Sequence, residues 1–96
     1  MAEERDETEK KKLEKILKAV ANRRRIAIVR YLAQNKEASV SDISGEIRLS
    51  FKATSKHLSV LYAADIVEKE QRSLQMFYRL SDTPHPVVKY ISNSRE

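Results

Sequence analysis

Lys52, Ser55, Lys56 and Ser59 fall at i, i+3, i+4 and i+7, a spacing that lines one face of a helix. Ser50 precedes them, and no acid occurs between Ser50 and Ala64. The face therefore offers short hydroxyls and two cations with nothing to repel a phosphate. Such a surface suits a groove walled by phosphates, where hydroxyls approach base edges and lysines hold the backbone. The major groove of double-stranded DNA is about 12 Å wide and admits one α-helix. His57 lies beside this face, and Arg72, further along, can reach a flanking phosphate or the minor groove. Any one of these lysines alone reads as a solvated charge, and it is their shared face that points to a polyanion.

A reading helix must be held by neighbours, and the chain supplies them. Ser50 is a good N-cap, so a helix is predicted from Phe51 to Ala64, with Phe51, Thr54, Leu58 and Leu61 facing inward. Arg48-Leu49-Ser50 reads as a tight turn after a shorter helix that Ser39 or Ser41 can cap and that turns Val40, Ile43 and Ile47 inward. A few residues of strand are expected at Ala38-Ser39-Val40. Gly45 lies inside the short helix, where glycine costs about 1 kcal/mol against alanine unless a neighbour passes close. Upstream, Leu13, Ile16, Leu17 and Val20 form one apolar face of a helix expected from Thr8 to Ala21, opposed by Lys11, Lys12, Lys15 and Lys18. Asn22 can cap the next helix, which carries Ile26, Val29, Leu32 and Ala33 on one stripe and ends near Gln34-Asn35.

Past Asp65 the period changes to two. Runs from Ile66 and to Leu80 flank Arg72-Ser73-Leu74 as a hairpin whose tip lacks Gly and Asn. Thr83 and Pro84 read as N-cap and first residue of a last helix, with Val87, Val88 and Ile91 on its apolar face and an end near Asn93. The expected fold is mainly α with a two-stranded β-wing: a winged helix-turn-helix of five helices plus a hairpin. It forms a single domain over residues 1–96, with residues 1–7 expected as a disordered acidic tail.

Composition narrows the partners. The 96 residues carry a net charge of +5, are 41% hydrophobic and include no cysteine. Disulfides, thiolate metal sites and cysteine nucleophiles are thereby excluded within these residues. Met1–Glu9 holds five acids and one base, whereas Lys10–Lys36 holds ten bases and one acid. The acidic start is unlike a signal peptide, and the longest aliphatic run, Ile26–Val29, is far short of a membrane span. A cytoplasmic protein with no membrane partner is expected. With Gly45 the one glycine, there is no glycine-rich phosphate loop. No Ser-His-Asp arrangement stands out, and Asp42 and Glu46 read as a solvated pair, so no enzyme is expected. Tyr31, Tyr62, Tyr78 and Tyr90 form no stacking face for single-stranded RNA.

From Leu17 to Leu80 the chain resembles the arsenic-repressor (ArsR/SmtB) family of winged-helix transcription factors. Ala21-Asn22-Arg23-Arg24-Arg25-Ile26-Ala27-Ile28-Val29 is similar to the opening of the family's second helix. The stretch from Leu49 to Leu61, with its Ser55-Lys56-His57-Leu58 step, resembles the family's reading helix. Ala63-Ala64-Asp65-Ile66-Val67 stands where the family usually has Ala-Gly-Leu-Val, and Met76-Phe77-Tyr78-Arg79-Leu80 resembles the second wing strand. The resemblance implies a homodimer built from the first and last helices, through Leu13, Ile16, Leu17, Val20, Val87, Val88 and Ile91. It implies reading helices in successive major grooves of a near-palindromic operator, and a repressor released by a small effector. The DNA-contacting set is then Ser50, Lys52, Ser55, Lys56, His57, Ser59 and Arg72.

Three departures from the family pattern bear on mechanism. Phe51 stands where a polar residue is common, and Ser73 replaces the usual wing glycine. These two also motivate the alternative of a protein-interaction module that does not read DNA. Glu37-Ala38-Ser39-Val40-Ser41-Asp42-Ile43 overlays the family's Glu-Leu-Cys-Val-Cys-Asp-Leu metal box, with serine for both cysteines. A serine hydroxyl is a poor ligand for soft ions, so thiol-based sensing is not expected. The family's second metal site, on the last helix, needs paired His and carboxylate. Here Asp82 and His85 are followed by Lys89, Ser92 and Asn93, so no metal and no cofactor is expected.

Overall fold

Asn22, Ser39 and Ser50 each start a helix with their side chains. Asn22 Oδ1 accepts from the amides of Arg24 and Arg25, Ser39 Oγ from Asp42, and Ser50 Oγ from Ala53. Asp42 returns the bond to the Ser39 amide, completing a capping box. These local bonds set the boundaries in the computed structural model, which describes residues 2–94. The order is α1 (Ala2–Val20), α2 (Arg23–Gln34), β1 (Ala38–Ser39), α3 (Val40–Ile47), α4 (Phe51–Ala63), β2 (Val67–Arg72), β3 (Gln75–Leu80) and α5 (Pro86–Asn93).

Helix α1 begins six residues before the expected Thr8 and takes the acidic stretch, read from sequence as a disordered tail, into its first two turns. Glu3 and Glu4 sit at the positive end of the helix dipole, and Lys10 pairs with Asp6 one turn back at 3.1 Å. Helix α5 starts two residues later than expected. His85, not Thr83, is its N-cap, with Nδ1 accepting from the Val87 amide, and Pro86 rather than Pro84 opens the helix.

The wing has a third strand. β1 pairs antiparallel with β3, giving the order β1-β3-β2, and β2 and β3 run in register from Val67↔Leu80 to Arg72↔Gln75. Two residues, Ser73 and Leu74, turn the hairpin, one fewer than the expected three. The core gathers Ile16 and Val20 of α1, Ile28, Val29 and Leu32 of α2, Ile43 of α3, Leu58 and Leu61 of α4, Val67 and Tyr78 of the sheet and Val88 of α5. Gly45 has open space where a side chain would stand, so no close approach explains it.

Among the described residues, three other than glycine hold positive φ: Arg48 (57°), Asp65 (60°) and Ser73 (58°). They occupy the turn before α4, the turn after it and the wing tip. Asp65 stands where the resembled family carries glycine, and it closes α4 as a Schellman cap. Its amide donates to Tyr62 O and the Ile66 amide to Leu61 O, both at 3.0 Å.

Candidate nucleic-acid interface

Helix α4 is bound to the body by one stripe and open on another. Thr54, Leu58 and Leu61 are fully buried, as the periodicity predicts. Lys52, Lys56 and Ser59 are exposed and Ser55 is half-buried, with Ser50 exposed at the cap. Among the described residues neither lysine makes an ion pair. Ser59 Oγ donates to Ser55 O at 3.0 Å, and Ser50 Oγ is occupied by capping, so part of each hydroxyl is already in use.

Phe51 departs from its expected inward place. It is 59% exposed, because the first residue of α4 projects beyond the core that Thr54 begins to contact. With Ser39, Val40, Ser41, Leu74, Gln75 and Met76 it lines a small cleft of about 90 Å³ between the helix start and the wing tip. The two serines of the metal-box overlay are here, and Ser39 is already committed to capping α3. Among the described residues no three potential ligands cluster around a common point.

Arg72 lies on the wing but is not a free cation. Its guanidinium grips Glu37 with both terminal nitrogens, bonds Glu70 at 3.0 Å and lies over the Phe77 ring at 4.7 Å. Hydrogen bonds from Arg72 hold both carboxyls below the usual carboxylate range, and both carboxylates raise the arginine in turn. Arg79 is held by Glu68 at 3.0 Å and Glu70 at 3.7 Å, and Lys69 sits 4.3 Å from the centre of the Tyr62 ring.

His57 has an internal partner as well. It is half-buried, with Nδ1 3.2 Å from Nη1 of Arg25. Burial, then the nearby Arg25 and Arg24, lower its pKa from the ordinary histidine value. Sequence reasoning passed over both arginines. They reach partners 23 and 32 residues away, and no local spacing signals such contacts.

The expected dimer residues divide. Ile16, Val20 and Val88 are buried in their own chain's core, so they cannot meet a partner directly. Leu13 (37%) and Leu17 (46%) are exposed, and Val87 and Ile91 are half-buried. Tyr90, which the periodicity did not single out, is 75% exposed on the last helix.

Comparison with known proteins fits this geometry. The family model described as bacterial regulatory protein, arsR family, matches residues 22–69. The chain belongs to the arsR family. It is 40% identical over 68 residues to the transcriptional activator HlyU of Vibrio cholerae, a match spanning 71% of this chain and 62% of that protein. It is 30% identical over 72 residues to the arsenical resistance operon repressor of Bacillus subtilis, spanning 75% and 69%. The solved structure of reduced HlyU superimposes with a TM-score of 0.76 at 34% identity, covering 92% of this chain and 88% of that one. A homodimeric winged helix-turn-helix DNA-binding domain from Mycobacterium bovis gives 0.80 at 25% identity, covering 92% and 79%. The fold of this arsR-family chain is thus the winged helix-turn-helix, and α3 with α4 forms the helix-turn-helix pair. No helix among the described residues is long and apolar enough to cross a membrane.

Proposed function

We propose that this chain is a homodimeric transcriptional regulator that reads double-stranded DNA with α4, acts in the cytoplasm and senses no metal through cysteine. The observation that carries this reading is the exposed, acid-free face of Ser50, Lys52, Ser55, Lys56 and Ser59 on a helix whose opposite face is buried. Residues near the start of a reading helix meet base edges, while cations along it hold phosphates.

A second copy is supported by the shape of α1. Every described side chain from residue 3 to residue 15 is exposed, so this stretch of the helix buries no residue in its own chain's core. Leu13 and Leu17 of α1, with Tyr90 and the half-buried Val87 and Ile91 on α5, supply the apolar surface for an isologous contact. Repression is the expected sign of regulation, since a dimer seated on two successive major grooves excludes polymerase from an overlapping promoter. The B. subtilis relative is a repressor and the V. cholerae relative an activator.

Selection of bound DNA from random sequence, with and without added metal ions, tests the reading. A palindromic consensus bound by a dimer and indifferent to metals is expected. A folded dimer without sequence-selective binding would sink it, and metal-dependent release would overturn the metal-independent part. The exposed Phe51 beside Leu74 favours one other reading, a module that docks a protein. Phe51 buried by a partner, without salt-sensitive DNA affinity, would favour it.

A further inference from the structure

Three consecutive arginines open α2, at the positive end of its dipole, where cations are disfavoured by up to about 1 kcal/mol each. Two of them reach the negative ends of other helices. Arg24 Nη1 donates to Ile47 O, the last residue of α3, at 3.4 Å. Arg25 Nε donates to Ala19 O at 2.5 Å and its Nη2 to Lys18 O at 3.5 Å, both in the last turn of α1. The other carbonyls of that turn are already taken, Leu17 O by the Ala21 amide and Val20 O by the Asn22 amide. Arg25 thus completes the C-terminus of α1.

The same guanidinium meets the reading helix. Arg25 Nη1 faces Nδ1 of His57 at 3.2 Å, and arginine can only donate. Nδ1 must accept, which makes His57 a neutral imidazole with its proton on Nε2. One residue of α2 therefore ties the end of α1 to the middle of α4.

We infer that Arg25 and His57 form a latch that sets the reading helix against α1 and α2, and that taking up a proton on His57 weakens DNA binding. His57 is in this view a positioning residue rather than a contact. The inference rests on the DNA-binding reading for its readout. A protonated ring has two donors and no acceptor, so Arg25 loses its partner and two cations face each other. The charged groups acting on the ring are Arg25 and Arg24 of α2, and Lys56 precedes it on α4. From α1 and α3 the two arginines draw only the carbonyls of Lys18, Ala19 and Ile47, and β2 packs on α4 further along, through Lys69 at Tyr62. No carboxylate among these groups would offset the new charge. Because folding lowers the pKa of His57, the folded chain resists the proton that the unfolded chain accepts. The latch therefore persists below the ordinary histidine range and opens as pH falls through that lowered value. A histidine touching phosphate would behave oppositely, since protonation adds a cation and tightens binding.

The test measures DNA affinity of the full chain at fixed ionic strength from about pH 8, above the histidine range, down to the lowest pH at which circular dichroism shows the chain folded. For the wild type, Kd is expected to rise severalfold as pH falls through the lowered His57 pKa. His57→Gln keeps an acceptor for Arg25 and should bind with no such pH dependence. Arg25→Lys cannot span both partners and should bind weakly throughout. Tighter wild-type binding at low pH, or an unchanged pH dependence in His57→Gln, would overturn the latch. If the wild type binds no DNA, the DNA reading fails separately, and nitrogen NMR of the ring decides the latch. A proton on Nε2 supports it and a proton on Nδ1 refutes it. If Arg25→Lys does not fold, His57→Gln and the NMR measurement still decide.

Discussion

Helix α4 carries two cations and the wing three, and the fold treats them in opposite ways. On α4, Lys52 and Lys56 stand exposed with no carboxylate on their helix. On the wing, Arg72 and Arg79 are shared among Glu37, Glu68 and Glu70, and Lys69 lies over Tyr62. Anchoring differs as well. Thr54, Leu58 and Leu61 fix α4 in the core, whereas Leu74 at the wing tip is 97% exposed. A cation helps bind a polyanion only when no internal partner must first be displaced, so equal charge counts conceal unequal readiness to bind.

The largest expected effect tests anchoring. Leu58→Ala should cost about 2–5 kcal/mol, as for other large-to-small changes in a packed core. Leu74→Ala should change stability by less than about 0.5 kcal/mol. Denaturant unfolding of the two variants checks both, and similar losses would erase the distinction between the regions.

Next comes charge. Replacing Lys52 and Lys56 together by alanine should weaken DNA binding and lower the slope of log affinity against log salt by about one unit per lysine in each subunit. Arg72→Ala should leave that slope nearly unchanged, because the arginine is already spent on Glu37 and Glu70. A full unit lost at Arg72 would mean that the wing exchanges its carboxylates for phosphate.

A smaller effect approaches the wing from its acids. Glu37→Gln should free part of Arg72 and steepen the salt slope by up to about one unit per subunit. Acid should act likewise. Arg72 lowers the pKa of Glu37 and Glu70, so their pairs are complete at neutral pH and are lost as pH falls through that lowered range, below about 4.5. These pairs are exposed, so stability should change little while DNA affinity shifts.

What was legible in the sequence was local. The caps at Asn22, Ser39 and Ser50 act over two or three residues, and the buried stripe of α4 repeats every turn, so both could be read directly. Phe51 obeyed the same period yet is exposed, because periodicity gives a direction around the helix and not how far along it the core extends. At the last helix two prolines offered two starts, and the histidine ring that capped the second carried no conventional capping signal. Long-range partners were invisible. Glu37 and Arg72 are 35 residues apart, Arg25 and His57 32, and each pair gives an expected contact residue an internal partner.

The smallest effect lies at the wing tip. Ser73 holds φ at 58°, a left-handed conformation that costs residues other than glycine about 1 kcal/mol or more. Ser73→Gly removes that strain but adds freedom to the unfolded chain, which returns about 0.4–1 kcal/mol. The net gain should therefore be a few tenths of a kcal/mol, visible as a slight rise in Tm. DNA affinity is the sharper readout. If the wing cations are bound internally and α4 does the reading, loosening the tip should leave Kd within about twofold, under 0.5 kcal/mol. A larger loss, with stability unchanged or improved, would show that the serine turn aims Leu74 or Arg72 at the duplex and that the wing takes part in reading.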